Sequence, residues 1–118
     1  MASELPKFKY NYFLVYAPDV PNTQRLKHLP EHMVQNAPLF KGGTIKLGGG
    51  VLPPDSKTSD ADVFQKVDGT FIVVRGESVE DIWEKLKKDV FYTSGEVWDH
   101  SKIVVKPAFL ATADVKFE

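Results

Sequence analysis

A strand that is apolar on both faces constrains the fold of this 118-residue chain more than any other feature. Tyr10 to Ala17 combine aromatic and β-branched side chains without a helical period, and Pro18 ends the run. A strand at a protein surface has one polar face. Because both alternating sets of side chains are apolar here, we expect the strand to lie centrally in a sheet that is covered on both sides.

Composition and the N-terminal sequence argue against several classes of function. The net charge is −1 and basic residues are scattered, so no one-faced basic stripe for nucleic acid exists. The chain has no cysteine, which excludes disulfides and thiolate chemistry. The apolar run Tyr12–Ala17 is far shorter than the roughly 18 residues of a membrane span, and Glu4 and Pro6 do not suit a secretory signal. We expect a soluble cytoplasmic protein that binds neither nucleic acid nor membranes.

The first helix is predicted from apolar residues at spacings of three and four. These residues are Leu26, Leu29, Met33, Val34, Ala37 and Phe40. Since proline is tolerated at the first helical position, we expect a short turn over 22–28 and a main helix that starts near Pro30. Pro38 should kink or end this helix, and Gly42–Gly43 should close it.

The remaining elements are three strands and a second helix. Strands are predicted over 44–52 and 70–75 and around 103–105, with a small extra strand over 64–67. The second helix is capped by Ser78. Its buried stripe consists of Val79, Ile82, Trp83, Leu86 and Val90, and Gly95 ends it.

This order, β-α-β-β-α-β, is the ferredoxin-like arrangement of an α+β sandwich. Right-handed crossovers place both helices on one face of an antiparallel sheet. The simplest cover for the other apolar face is a second copy of the chain. We therefore predict a dimeric α/β barrel from a single domain, 1–118, with a core at about 10–109 and tails at 1–8 and 110–118. Whether two such dimers stack further is open at this point.

The predicted topology brings four features to one end of the sheet. Asp19 follows the first strand, His32 lies in the first turn of the main helix, Gly48–Gly50 end the second strand, and Asp89 ends the second helix. The polar loop over 53–68 hangs over the same end. A histidine, two carboxylates and a glycine-lined wall together indicate a small-molecule pocket.

Acid/base chemistry is the reaction type that these side chains support. An imidazole exchanges a proton near neutral pH, and a carboxylate on its other nitrogen fixes the tautomer. No G-x-S-x-G nucleophile motif occurs. His28 and His32 are four residues apart, but Pro30 between them argues against a shared helical face and so against a metal site. We predict neither a metal nor an organic cofactor.

An ordered set of motifs resembles the YCII-related family over about residues 10–109. The set consists of a hydrophobic strand followed by Asp, an Arg-x-x-x-x-Pro-x-His segment, a glycine-bearing strand, an Asp-x-aromatic segment and a last strand. In this sequence the motifs read FLVYAPD (13–19), RLKHLPEHM (25–33), LGGGVL (47–52), DVFYTSGEVWDH (89–100) and VKPAF (105–109).

The resemblance implies a ferredoxin-like dimeric α/β barrel, an active-site His–Asp pair, and lyase or isomerase chemistry on small organic molecules. The histidine maps to His32. Its partner in the pair is either Asp19 or Asp89. Two positions depart from the family pattern. Leu29 replaces a frequent Arg, which removes a group able to bind anions, and Val90 replaces a frequent Pro, which affects where Asp89 points.

Three further features are candidate substrate-binding groups. Arg25 can grip a carboxylate or phosphate, although a surface salt bridge is the commoner role. Gly48, Gly49 and Gly50 can line the pocket, although a bulge that bends the sheet is the commoner reason for glycines in a strand. Trp98 can line the pocket or fill the dimer seam.

Three functions are consistent with these observations. The first is a cofactor-independent lyase or isomerase in which Asp89 or Asp19 orients His32 as acid and base. The second is a non-catalytic ligand-binding or interaction module whose dimer is its purpose. The third is a monooxygenase-like protein of the wider dimeric-barrel group, which would need a positioned axial ligand to bind haem. Fold alone does not choose among them.

Overall fold

The computed structural model describes residues 7–112, which form a sheet with helices on one face. The elements in chain order are β1 (Asn11–Pro18), α1 (Arg25–Lys41), β2 (Ile45–Val51), α2 (Val63–Lys66), β3 (Gly69–Gly76), α3 (Val79–Leu86), α4 (Val90–Thr93), a 3-10 turn (His100–Lys102) and β4 (Val104–Ala108). None of the helices in this part of the chain has the length and apolar character needed to cross a bilayer. The predicted tails at 1–8 and 110–118 lie largely outside the described residues.

The sheet has the strand order β2-β3-β1-β4, and each strand is antiparallel to its neighbours. β1 pairs with β3 along its whole length, from Asn11 opposite Gly76 to Pro18 opposite Gly69, and pairs with β4 on its other edge. The first strand is therefore central, as its apolar faces predict. This order is the split βαβ arrangement, so the ferredoxin-like α+β prediction is confirmed.

The core lies between the helices and one face of the sheet. Successive side chains of a strand point to opposite faces, and alternate residues of β1 are accordingly buried beneath the helices. The core is formed by Phe13, Val15, Ala17, Ile45, Val74, Ile82, Leu86, Val90, Phe91, Val97, Trp98 and Ile103. The burial of these apolar side chains is the main contribution that holds the helices against the sheet.

The opposite face of the sheet is mainly apolar and open, with Arg75 and Lys106 as its cations. Leu14, Tyr16, Leu47 and Val104 lie on this face and are 39–46% exposed. In the register of the sheet, Tyr16 lies between Phe71 of β3 and Val104 of β4. Apolar sheet faces of this kind pack face to face against a second sheet in many proteins.

Helix α1 starts earlier than the sequence pattern predicts. The separate turn over 22–28 and the start near Pro30 are wrong, because α1 runs from Arg25 to Lys41 through both of its prolines. At the start of the helix, the Gln24 N–H donates to the Glu96 carbonyl at 2.9 Å. The closure at Gly42–Gly43 is confirmed, with Gly43 at a φ of 79°.

Two short helices lie where the sequence pattern predicts a strand and the end of a longer helix. Residues 63–66 form helix α2 and not an extra strand. The second predicted helix is divided: α3 ends at Leu86, and Asp89 starts the separate α4. The apolar spacing continues from Leu86 to Val90, so periodicity alone does not show the break.

Candidate functional site

A cavity of about 460 Å³ lies between α1, α3 and the helix-bearing face of the sheet. Most of its wall is apolar, with side chains from both helices and from β2 and β3. Its polar lining residues are Arg25, His32, Asn36, Thr70, Lys85 and Asp89, and Trp98 also lines it. A mainly apolar cavity of this size with a few polar groups has the character of a small-molecule site.

His32 is held by a carboxylate in the wall of this cavity. Its Nδ1 atom lies 2.8 Å from Oδ1 of Asp89, and both side chains are mostly buried. Asn36 donates one amide hydrogen to Oδ2 of Asp89 and the other to the His32 carbonyl, each at 2.8 Å. The carboxylate can only accept, so Nδ1 of His32 is the donor and carries a proton.

The other ring nitrogen of His32 is free to face a ligand. Among residues 7–112, no hydrogen bond to Nε2 is present, and no buried side-chain nitrogen or oxygen lacks a partner. Nε2 is therefore accessible, and His32 lines the cavity. With Nδ1 protonated by its bond to Asp89, the neutral ring presents a lone pair at Nε2.

The ring of Phe91 fixes the plane of the imidazole. The two rings are stacked with centroids 3.8 Å apart and planes within 3°. Trp98 meets both rings edge-on, at 6.3 Å from His32 and 5.8 Å from Phe91. Phe91 is fully buried, so the imidazole rests on a rigid support.

Asp89 occupies a helix N-terminus and not the C-terminal position that the sequence pattern indicates. It is the N-cap of α4, and its Oδ1 atom accepts the Phe91 N–H at 2.8 Å. A carboxylate is favourable at the N-terminal end of a helix, so the position of Asp89 is electrostatically favourable. Val90 follows as the first helical residue, where the YCII-related pattern often has proline, a residue suited to this position.

Asp19 and Arg25 form a buried ion pair beside the site. The Nε and Nη2 atoms of Arg25 donate to the two oxygens of Asp19 at 2.8 Å, and Nη2 also donates to Thr70 at 2.7 Å. The commoner sequence interpretation, a surface salt bridge of Arg25, is wrong, because its side chain is only 9% exposed and that of Asp19 only 1%. The guanidinium also lies 4.8 Å from the centre of the Phe91 ring. Asp19 is thus committed to Arg25, and the carboxylate in contact with His32 is Asp89.

Gly48–Gly50 and Trp98 line the cavity. The glycines are not the bulge that their composition suggests, because the register shift of β2 falls between Ile45 and Leu47. Trp98 is 3% exposed, and its Nε1 donates to Oγ1 of Thr70 at 3.1 Å. It therefore belongs to the wall of the cavity and not to the open face of the sheet.

His28 shares the helical face of His32, contrary to the expectation that Pro30 separates them, since α1 is continuous. Each ring nevertheless has its own carboxylate, and Nε2 of His28 donates to Glu96 at 2.7 Å. This hydrogen bond, with a smaller contribution from Lys27, holds the pKa of Glu96 below its ordinary value of 4.5. Within residues 7–112, no group of three or more metal-ligating side chains is present.

Three residues of the site do not stand out in the sequence. Asn36 lies one helical turn after His32, a spacing that could have indicated contact. Phe91 reads as an ordinary buried aromatic residue. Thr70 reads as a β-branched strand residue, and its hydroxyl shows its role only when the Arg25 and Trp98 side chains converge on it.

The fold and the cavity place the chain among proteins of the dimeric α/β barrel fold. A solved structure of the same fold is 5-chloro-2-hydroxyhydroquinone dehydrochlorinase (TftG) from Burkholderia phenoliruptrix AC1100, in complex with 2,5-dihydroxybenzoquinone. It aligns with a TM-score of 0.65 and 24% identity over 80% of this chain and 90% of that one. At that identity the likeness shows the fold alone.

Sequence relatives give the family. The fusaric acid biosynthesis protein 2 sequences of Gibberella fujikuroi and Gibberella moniliformis are each 34% identical over 111 residues, covering 91% of this chain and 96% of theirs. The chain belongs to the family of these proteins. It is also 34% identical over 115 residues to aspartate kinase FUB3 of Fusarium oxysporum f. sp. lycopersici, but spans only 19% of that protein. No family model matches the chain.

Proposed function

We propose that the chain is a cofactor-independent enzyme of the lyase or isomerase type, in which His32 exchanges a proton with a small organic substrate. The observation that carries this proposal is the 2.8 Å contact between Nδ1 of His32 and Asp89, with Nε2 left to the cavity. A carboxylate in this position orients the ring and stabilises the imidazolium that forms when Nε2 accepts a proton.

Other residues of the site would hold the pair or the substrate. Asn36 keeps the Asp89 carboxylate in place, and Phe91 sets the plane of the His32 ring. We assign Asp19 and Arg25 to the support of the site, because the bonds between them occupy both carboxylate oxygens and two guanidinium nitrogens. Gly48–Gly50 and Trp98 would form part of the substrate-binding wall.

The compared proteins support a small organic substrate. The family relatives are named for the biosynthesis of a small molecule, and TftG is a dehydrochlorinase with a hydroxylated quinone bound. The motifs quoted above also lead us to propose that the chain is a YCII-related protein.

We further propose that the chain forms a homodimer through the open sheet face. Four apolar side chains of this face, Leu14, Tyr16, Leu47 and Val104, are 39–46% exposed. Monomeric proteins rarely leave a contiguous apolar face of this kind in water. The same face favours the alternative function, a non-catalytic ligand-binding module whose dimer is its purpose.

Two measurements separate the enzyme from the binding module. The first is chloride release from 5-chloro-2-hydroxyhydroquinone and turnover of related hydroxylated rings by the wild-type chain, His32→Gln and His28→Gln. Removal of a general base lowers turnover by about 10²- to 10⁴-fold. We expect such a loss in His32→Gln and none in His28→Gln, whose imidazole binds Glu96. Equal turnover in all three chains would contradict the proposal.

The second measurement needs no substrate. ¹⁵N NMR of the imidazoles at about pH 8, where an ordinary histidine is neutral, reports which ring nitrogen of His32 is protonated. We expect a proton on Nδ1 and a lone pair on Nε2. A proton on Nε2 would leave the ring without a basic atom facing the cavity, and the enzyme proposal would then fail even if no substrate were known.

A further inference from the structure

The cavity presents large apolar side chains to water. Leu26, Met33, Phe40 and Phe64 all line it and are 47–74% exposed. The first three lie seven residues apart along α1, so they form one stripe on the side of the helix that faces the sheet. Contact of such a stripe with water is unfavourable. An occupant with an apolar body would cover it.

The wall opposite α1 contains bare backbone of β2. Gly48 and Gly50 lie on the helix-bearing face of this strand, where a Cβ atom would lie 3.0 Å from Ile72 and 3.2 Å from Phe40 at Gly48, and 2.6 Å from Val67 at Gly50. Phe40 and Val67 therefore pack directly onto the strand, and the apolar surface that they form with it lines the cavity.

The cations of the cavity wall are already neutralised. Arg25 is paired with Asp19 through two bonds of 2.8 Å, and Lys85 with Asp81 at 2.8 Å. The carboxylate of Asp89 adds a negative charge beside His32. A ligand with a fixed anionic group would lose its hydration without gaining a free cation, which is unfavourable.

From these observations we propose that the ligand is an uncharged amphiphile of the phenol or enol class. Its hydroxyl faces Nε2 of His32, and its apolar body covers the stripe of Leu26, Met33 and Phe40 on α1. The proposal rests on the proposed function for the role of Nε2 as acceptor, and it adds the substrate class. A hydroxyl of this class can donate a hydrogen bond to the lone pair of Nε2.

Binding of 4-n-alkylphenols, from 4-ethylphenol to 4-pentylphenol, tests the proposal by titration calorimetry of the full chain. Each methylene buried in an apolar cavity improves affinity about fourfold, so Kd should fall by about that factor per carbon. The matched anions, 4-n-alkylbenzoates with the same tails, should bind at least about tenfold more weakly at pH 8 because their charge is desolvated without a free partner.

Adjacent residues of α1 supply a matched pair of variants. Met33 lines the cavity and is 59% exposed, whereas Val34 is 74% exposed and does not line it. Because neither side chain is buried, we expect both Met33→Ser and Val34→Ser to fold. Met33→Ser should weaken 4-pentylphenol binding by about fivefold, a loss equal to one or two buried methylenes. Val34→Ser should leave the affinity unchanged.

The proposal is overturned if the alkylphenols do not bind, if Kd does not depend on tail length, if the benzoates bind as tightly, or if both variants behave alike. Failure of the proposed function is distinguishable from these outcomes. If tail-length dependence holds while turnover survives in His32→Gln, the ligand class is right and the acid/base assignment is wrong. If turnover requires His32 but the tail has no effect, the ligand class is wrong.

Discussion

The carboxylate of Asp89 lies 2.8 Å from Nδ1 of His32, and the same oxygen accepts the backbone N–H of Phe91. One atom therefore caps helix α4 and orients the imidazole. Because Phe91 also stacks on the His32 ring, the start of α4 sets both the hydrogen bond and the plane of the histidine. The position of the base is thus built into the local fold.

Replacement of Asp89 by Asn separates these two roles. Asn is as good a helix cap as Asp, so the stability of Asp89→Asn should stay within about 1 kcal/mol of wild type. Turnover should fall by about 10²- to 10⁴-fold, because an uncharged amide does not stabilise the imidazolium. Asp89→Ala should lose the same activity and about 1 kcal/mol more stability through the lost cap.

Urea unfolding and turnover of the two Asp89 variants provide the check. Full activity in Asp89→Asn would show that the charge has no catalytic role. Equal stability of the Asn and Ala variants would show that the bond to Phe91 contributes little to the fold.

The position of Asp89 also shows a feature that the sequence pattern does not predict, the break between α3 and α4. The apolar stripe of α3 runs on in register to Val90, so the pattern extends the helix through Asp89. The break depends on the capping bond to Phe91 and on contacts with α1, where Gln35 accepts the Val90 N–H at 2.8 Å. The sequence pattern does not contain such tertiary contacts, whereas the central strand and the element order follow from local periodicity.

The buried pair of Arg25 and Asp19 should dominate stability near the site. Their side chains are 9% and 1% exposed, and removal of one partner of a buried pair costs about 3–5 kcal/mol because the other charge is left unpaired. We expect a loss of this size in Arg25→Met. Replacement of both residues by apolar ones should recover much of it.

Lys27→Met is the matched control for Arg25→Met. Lys27 lies two residues further along α1, and its ion pair with Glu96 is exposed on both sides. Such pairs contribute about 0–1 kcal/mol, so the free energy of unfolding in urea should change little. Similar losses of unfolding free energy in the two Met variants would mean that the Arg25–Asp19 pair does not stabilise the first turn of α1 more than an exposed ion pair does.

The same pair explains the error about the start of α1. Pro30 indicates a helix start because proline fits the first helical position. The first turn forms earlier because Asp19, just after β1, and Thr70 of β3 hold Arg25. The prediction of a pocket at this end rested on topology alone, and the cavity lies there with His32, Gly48–Gly50 and Asp89 in its wall.

Acid unfolding should depend on Glu96. Its pKa is lowered first by the hydrogen bond from His28 and then by Lys27, from an ordinary value of 4.5. A carboxyl with a lowered pKa in the folded state stabilises the fold above its unfolded pKa, and this stabilisation is lost as the pH falls through the folded pKa. The difference in free energy of unfolding between wild type and Glu96→Gln should therefore be constant above about pH 5 and shrink on acidification.

Urea titrations at a series of pH values from about 3 to 6 measure this difference. Glu84→Gln is the control, because Glu84 is exposed and has no ion pair within the described part of the chain. Its difference from wild type should show no such change with pH. A constant difference for Glu96→Gln across the whole range would contradict the coupling between Glu96 and His28.

Charge on the open sheet face should dissociate the proposed dimer. Leu14 lies between Val73 of β3 and Lys106 of β4. In Leu14→Lys, a second cation would lie beside Lys106 and lose its water on association, which is unfavourable. Sedimentation equilibrium should show a dimer for wild type and a monomer for Leu14→Lys. Val34→Lys, on the outer part of α1, should remain dimeric, and a monomeric wild-type chain would refute the proposed assembly.

Adjacent glycines of β2 test the wall of the cavity. A Cβ at Gly50 would lie 2.6 Å from Val67, a cavity residue, whereas a Cβ at Gly49 would meet the ring of Phe71 at 3.0 Å, on the open face of the sheet. Gly50→Ala must displace Val67, and overpacking of this kind costs about 1–3 kcal/mol. We expect it to weaken 4-pentylphenol binding by about tenfold, equivalent to the loss of one or two buried methylenes.

Gly49→Ala is the same substitution, but its added methyl group lies on the open face of the sheet. Replacement of Gly in a strand recovers about 0.5–1 kcal/mol of chain entropy, which offsets the shift of the half-buried Phe71 ring. Its effect on ligand affinity should be much smaller than that of Gly50→Ala. If calorimetry finds equal losses of 4-pentylphenol affinity in the two variants, the glycines affect binding through the shape of the sheet. If only Gly50→Ala loses affinity, the bare backbone of β2 is part of the binding surface.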